Sequence, residues 1–258
     1  MMRNPAVAGS FYPADPSVLQ DMLNKFLTGD AEPAPPKAII VPHAGYIYSG
    51  PIAASAYVRL RKARDRIRRV VLLGPSHRVA FGGLALSHAD SFATPLGAVP
   101  VDRVAVEKMS ELSFVSYLEQ AHSAEHSLEV HLPFLQASLS DFALIPLIAG
   151  DATPEQVAQA LALLWGGSET LIVISSDLSH YLDYNSAQAK DRRTSQLIES
   201  LNYRRLTPDA ACGCVPVSGL LRLLEQKSLS IKAIDVRNSG DTAGDKHRVV
   251  GYGAYVVE

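Results

Sequence analysis

The sequence predicts an α/β protein: a single domain, residues 1–258, with a mostly parallel central sheet flanked by helices. Short apolar runs rich in β-branched residues alternate with helical stretches, the pattern of strands covered on both faces. The chain has 258 residues, 47% of them hydrophobic, enough for a sizeable core in one large domain. It carries no internal repeat, low-complexity tract or linker.

In chain order, 38–41 (Ala-Ile-Ile-Val) reads as a buried strand, and 33–36 before it as a short loop. A helix is expected from about 51 to 61, with Pro51 at its first position, where the missing N–H is not needed. Residues 69–73 are a second strand and 84–87 a third, and 100–112 holds a helix. Residues 127–139 are amphipathic, with Leu128, Leu132, Leu135 and Leu139 at helical spacing, although Pro133 must kink or delay the helix. A strand follows at 142–148. Thr153, Pro154 and Gln156 have the spacing of a capping box with proline at the first helical position, and Gly166-Gly167 stop that helix near Trp165. Residues 170–175 are a strong strand, 186–201 a polar helix and 217–226 a further helix. Two strands close the chain at 228–236 and 248–257.

Lysine plus arginine number 24 and aspartate plus glutamate 26, for a net charge of −2. That balance argues against a non-specific nucleic-acid binder or an acidic-membrane binder. The longest apolar stretch, 142–149, is too short to span a bilayer, and residues 1–4 lack the apolar core of a signal peptide. The expectation is a soluble, cytoplasmic protein. Both cysteines lie in one Cys212-Gly213-Cys214 tripeptide, where a bridge would close a strained ring. Reduced thiols with an open metal or reactive role are the simpler reading.

Three histidines share one placement. His43, His77 and His180 each follow the C-terminal end of an expected central strand, the edge where open α/β sheets form their ligand crevice. One such histidine is ordinarily a loop or core residue, whereas three in the same topological position point to converging metal ligands. Two histidines with one anionic ligand and open positions suit divalent iron. Cys212 is a candidate for that anion, because it precedes an expected helix whose dipole would favour thiolate. A thiolate favours iron, copper or zinc over magnesium or calcium. Asp177, three residues before His180, could orient that imidazole or cap the next helix. His122 to His126 also match H-x-x-E-H, a zinc-peptidase pattern, although no clear helix carries the pair. Phosphate-binding glycine loops and a G-x-S-x-G elbow are absent.

Taken together, several segments resemble the Memo family, also called AmmeMemoRadiSam system protein B. They are Ala8-Gly9-Ser10-Phe11-Tyr12-Pro13, Val41-Pro42-His43-Ala44-Gly45-Tyr46, Leu73-Gly74-Pro75-Ser76-His77, Glu125-His126-Ser127-Leu128-Glu129-Val130-His131-Leu132-Pro133, Ser175-Ser176-Asp177-Leu178-Ser179-His180 and Ala211-Cys212-Gly213. The family is similar to class III extradiol ring-cleaving dioxygenases, which implies their α/β fold with a metal cleft at one sheet edge. By that resemblance His43 and His77 match the metal histidines and Cys212 stands where the dioxygenases have a glutamate, with Cys214 as the other sulfur nearby. His180 matches the acid–base histidine, accompanied by Asp177. His126, Glu129 and His131 belong to a family motif placed near the cleft. Thiolate in place of carboxylate changes the metal's chemistry, so ring cleavage does not follow from the fold.

Three functions compete. The first is an iron or copper redox enzyme, dioxygenase-like, acting on an unknown small molecule. The second is a non-catalytic module that binds a peptide, with Arg78 or the basic run from Arg61 to Arg69 as its anchor, although such runs are usually solvated surface. The third is a zinc-dependent hydrolase. The resemblance also implies AMMECR-type and radical-SAM proteins as partners.

Overall fold

The computed structural model describes residues 1–29 and 34–257, so Pro33 of the expected 33–36 loop lies outside the described residues. The elements are, in order, β1 (Met2–Arg3), α1 (Pro16–Phe26), β2 (Ala38–Val41), α2 (Tyr46–Tyr57), β3 (Arg69–Pro75), β4 (Leu84–Leu86), β5 (Ser91–Thr94), β6 (Gly97–Pro100), α3 (Arg103–Met109), β7 (Val115–Tyr117) and α4 (Glu119–Ser123). The second half contains α5 (Leu132–Ser138), β8 (Ala143–Ala149), α6 (Pro154–Leu163), β9 (Thr170–Ser175), β10 (His180–Leu182), α7 (Tyr184–Glu199), α8 (Cys214–Lys227), β11 (Ile231–Asn238) and β12 (Val249–Val257).

The main sheet runs β10-β12-β2-β9-β3-β8-β4-β7, with β11 beside β12. Its centre, β2-β9-β3-β8, is parallel. These strands are almost wholly buried, as their continuous Val, Ile and Leu runs require of strands covered on both faces. The α/β fold with a parallel sheet centre is as expected, and antiparallel flanks make the sheet as a whole mixed. Strand β12 is antiparallel to β2, β10 and β11, and β4 is antiparallel to β8. The reason is the connection: β4 follows β3 through a loop with no crossover helix, so it turns back rather than re-entering in parallel. A separate small sheet, β1-β5-β6, carries the N-terminus.

Several boundaries also differ from expectation. Helix α2 begins at Tyr46, so Pro51 lies inside it rather than at its start. The carbonyl that loses its partner belongs to Ile47, a residue on the exposed face. The amphipathic segment splits into a 3₁₀ turn (Glu129–His131) and α5, with Pro133 in the first helical turn, so the proline delays the helix rather than kinking it. The capping box of α6 forms as expected. Helix α1 was not expected, although Asp15 caps it, Pro16 opens it, and Leu19 and Leu23 enter the core. Among the described residues no helix is long and apolar enough to cross a membrane.

Candidate metal centre

His43 and His77 each stand two residues past a parallel strand, β2 and β3, at the carboxyl edge of the sheet. His126 arrives from the loop between α4 and α5. The ligand atoms of these three imidazoles all lie within 4.8 Å of one another, so the group can hold a metal ion. His43 meets the other two edge-on, with ring centroids at 5.1 and 5.3 Å, while His77 and His126 are stacked at 4.6 Å.

The hydrogen bonds behind the rings decide which nitrogen faces the cleft. Ser175, the last residue of β9, donates its single hydroxyl proton to the Ser127 carbonyl at 2.6 Å. Its oxygen must therefore accept from both His43 Nδ1 (2.6 Å) and His131 Nε2 (2.8 Å). His131 Nδ1 in turn accepts from the Tyr57 hydroxyl at 3.0 Å. His43 thus carries its proton on Nδ1 and presents the Nε2 lone pair. His77 is set likewise by Glu125, whose Oε1 accepts from His77 Nδ1 at 2.8 Å and lies 3.2 Å from His126 Nδ1. The same carboxylate accepts the backbone N–H groups of His77, His126 and Ser127. Burial alone would raise the Glu125 pKa, but the hydrogen bonds from His77 prevail and hold it down at about 2. Burial lowers His126 to about 4, and burial followed by the neighbouring imidazoles puts His43 well below the usual histidine range. Neutral imidazole is the metal-binding form.

Cys212 stands beside this group rather than within it: its Sγ is 3.3 Å from His43 Nε2 and accepts the Asp177 N–H at 3.2 Å. Gly213 lets the sulfur-bearing loop pack this closely, since a Cβ there would lie 2.5 Å from the Ser175 carbonyl oxygen. The expectation that a helix dipole favours thiolate is overturned. Helix α8 starts only at Cys214, and burial followed by the Asp177 charge pushes the Cys212 thiol well above its ordinary value. Two acceptors lie within reach of a protonated Cys212 thiol, His43 Nε2 at 3.3 Å and the Asp177 carbonyl at 3.7 Å.

Asp177 takes neither role expected of it. The Leu178 carbonyl, not Asp177, receives the His180 Nδ1 proton at 2.8 Å, and Asp183 caps the next helix, α7. Asp177 instead accepts the His43 backbone N–H at 2.8 Å and is buried, with a pKa raised by burial to about 7. His180 lines the cleft with its Nε2 free of the Leu178 bond.

Glu129 and His131 lie behind the cleft. Glu129 is fully buried; it pairs with Arg3 at 2.5 Å and accepts from Ala6 N, Val7 N and the Tyr12 hydroxyl. This knot ties down the N-terminal segment whose Phe11 ring reaches the cleft, 4.7 Å from His126. Arg78 is exposed and is not among the residues lining the cleft. The Arg61–Arg69 run sits at the opposite, amino end of β3, where Arg68 and Arg69 pair with Asp141 and Asp102. The H-x-x-E-H reading fails: α4 ends at Ser123, and His122 turns away to the Ala85 carbonyl at 3.0 Å. Sequence reasoning missed Glu125 and Ser175 as the groups that set the imidazoles. Glu125 could have been found as the carboxylate next to His126, whereas Ser175 and Tyr57 carry no local signal.

The cleft has a volume of about 720 Å³ and is walled by Phe11, Tyr48, Tyr181 and Tyr252, with His43, His77, His126, Asp177 and His180 at its floor. The fold and this floor define an α/β protein with a three-imidazole group, able to hold a metal ion, at the carboxyl edge of its parallel strands. The sequence profile described as "Memo-like protein" matches residues 3–256. Proteins described as MEMO1 family proteins are similar along their whole length. One from Aquifex aeolicus is 38% identical, with 97% of each chain covered, and one from Sulfolobus acidocaldarius is 36% identical, with 98% of each covered. A third, from Methanosarcina barkeri, is 35% identical over the full length of both chains. The chain belongs to the Memo family.

Proposed function

We propose that the protein is a metal-dependent redox enzyme whose cleft holds iron or copper on His43, His77 and Cys212. One observation carries this reading: Cys212 Sγ lies 3.3 Å from a His43 Nε2 whose lone pair is already turned toward it. Two such ligands on one ion stand about 3.1–3.6 Å apart when metal–nitrogen and metal–sulfur bonds have their usual lengths. His77 and His126 both meet the same Glu125 oxygen and stack at 4.6 Å between ring centroids. We assign His77 as the second imidazole ligand, with His126 beside it as the alternative third imidazole. A bound redox ion would supply Lewis-acid polarisation and electron exchange to a substrate oxygen. The protein's part is to orient and to move protons. Leu178 holds the His180 Nδ1 proton, which leaves Nε2 to accept or return one from a substrate hydroxyl. Phe11, Tyr48, Tyr181 and Tyr252 wall the cleft around these groups. Cys212 would have to give up its thiol proton to serve as a ligand, and the buried Asp177 carboxyl beside it could ionise to balance the added charge.

The test is metal analysis of protein purified without oxygen, alongside H43A, H77A, C212S and H126A. Near-stoichiometric iron or copper, lost in the first three and kept in H126A, is expected. Loss in H126A with retention in C212S would replace this ligand set by the three imidazoles. Absence of metal from every folded sample would refute the reading.

A further inference from the structure

Of the described residues that line the cleft, Arg248 is the one lysine or arginine. It is exposed, and its guanidinium has no ion pair among the described residues; it lies 5.2 Å from the centroid of the Tyr181 ring. The Arg248 backbone is fixed by Asp245, whose Oδ1 accepts the N–H groups of His247 and Arg248.

Tyr181 is unusual on independent grounds. It sits between His180, which pairs with Val250, and Leu182, which pairs with Val249, so it is the extra residue of a bulge in the β10–β12 ladder. Its φ is +60°, a left-handed conformation that bulky residues rarely adopt and that glycine would take without strain. A tyrosine held there, 64% exposed, contributes little to the core. What its ring does is flank His180, at 5.7 Å between centroids, and support the Arg248 guanidinium at the mouth of the cleft. Backbone strain of this kind is typical of functional sites.

We propose that Arg248, backed by the Tyr181 ring, is the specificity determinant of the cleft and receives an oxyanion of the substrate, a carboxylate or a phosphate. A guanidinium presents paired donors that match either group. The rings of Phe11, Tyr48 and Tyr252 supply walls for a planar apolar body attached to it. The proposal rests on the cleft being the substrate site and does not depend on which metal, if any, lies on its floor.

The experiment is titration calorimetry of the full chain as purified, repeated after chelation, with benzoate, phenyl phosphate and the neutral isostere benzamide. Benzoate or phenyl phosphate should bind at least about tenfold more tightly than benzamide, and the better of the two identifies the anion. R248Q should lose about tenfold toward that anion and leave benzamide unchanged. Tyr181→Gly, which relieves the backbone strain, should also weaken the anion without lowering the melting temperature. R66Q, at the opposite edge of the sheet, should match the unaltered chain. Equal affinities for benzoate and benzamide, anion binding untouched by R248Q, or no binding of either anion would overturn the proposal. Because chelated protein is tested too, failure of the metal reading leaves these outcomes unaffected.

Discussion

Replacing Glu129 by glutamine should be among the most damaging single-atom changes available in this chain. The carboxylate is fully buried and accepts four hydrogen bonds: from Arg3 at 2.5 Å, Ala6 N at 2.7 Å, Val7 N at 2.9 Å and the Tyr12 hydroxyl at 2.6 Å. Glutamine removes the charge, places an NH₂ group against donors, and leaves the Arg3 guanidinium, only 6% exposed, without a counter-charge. Uncompensated buried charge of this kind costs about 3–5 kcal/mol. Arg3 also donates to the carbonyls of His122 and Glu125, so the damage passes directly to the loop that carries Glu125 and His126. Urea unfolding at 25 °C of the unaltered chain, E129Q, Arg3→Met and the double variant gives the magnitude and the coupling. E129Q should lose about 3–5 kcal/mol. The double variant should lose at least about 2 kcal/mol less than the sum of the singles, because it leaves neither charge stranded. A loss under about 1 kcal/mol for E129Q, or strict additivity, would refute the view that this pair clamps the N-terminal segment to the site.

Other outcomes follow from the same geometry. Glu125→Gln should weaken metal binding about 10–100-fold, measured by competition with a chromophoric chelator, because Glu125 sets the His77 ring. Above pH 7.5 the apparent metal affinity should rise about tenfold per pH unit, since loading displaces one Cys212 proton, and C212S should flatten that slope in the same titration. Burial raises the folded-state pKa of Asp177 to about 7, so its ionisation favours the unfolded chain. The stability of the metal-free protein relative to Asp177→Asn should therefore be greatest below pH 4 and fall by a few kcal/mol as pH rises to 7, followed by urea unfolding at each pH. Gly213→Ala drives a methyl group into the Ser175 carbonyl and Ser176, at 2.5 and 2.6 Å, and should cost about 1–3 kcal/mol by thermal unfolding together with the metal.

The central parallel strands were legible because each is a compact apolar run buried on both faces, and the histidines that follow them were legible for the same topological reason. The three-residue strand β4 matches the run read at 84–87, whereas β7 and β10 were not placed, because elements so short are held by their neighbours more than by their own composition. The site was legible only as far as strand ends could carry it. His126 reaches the floor because Arg3 grips a loop more than 110 residues away in sequence, and no local pattern encodes such a contact. The Cys212 thiol was misread for a related reason: its position before α8 is a local feature, while its protonation is governed by burial against β9 and Asp177.

The placement of β2 bears on how the protein is made. Its neighbours in the sheet are β9 and β12, which begin at residues 170 and 249. While the chain is still being synthesised, the segment carrying His43 has no strand on either side, and the sulfur of residue 212 and the hydroxyl of residue 175 arrive late as well. Pairings so distant along the chain form late in folding. A nascent chain therefore offers scattered imidazoles but not the oriented set, and an ion can be selected by this geometry only after β12 has left the ribosome.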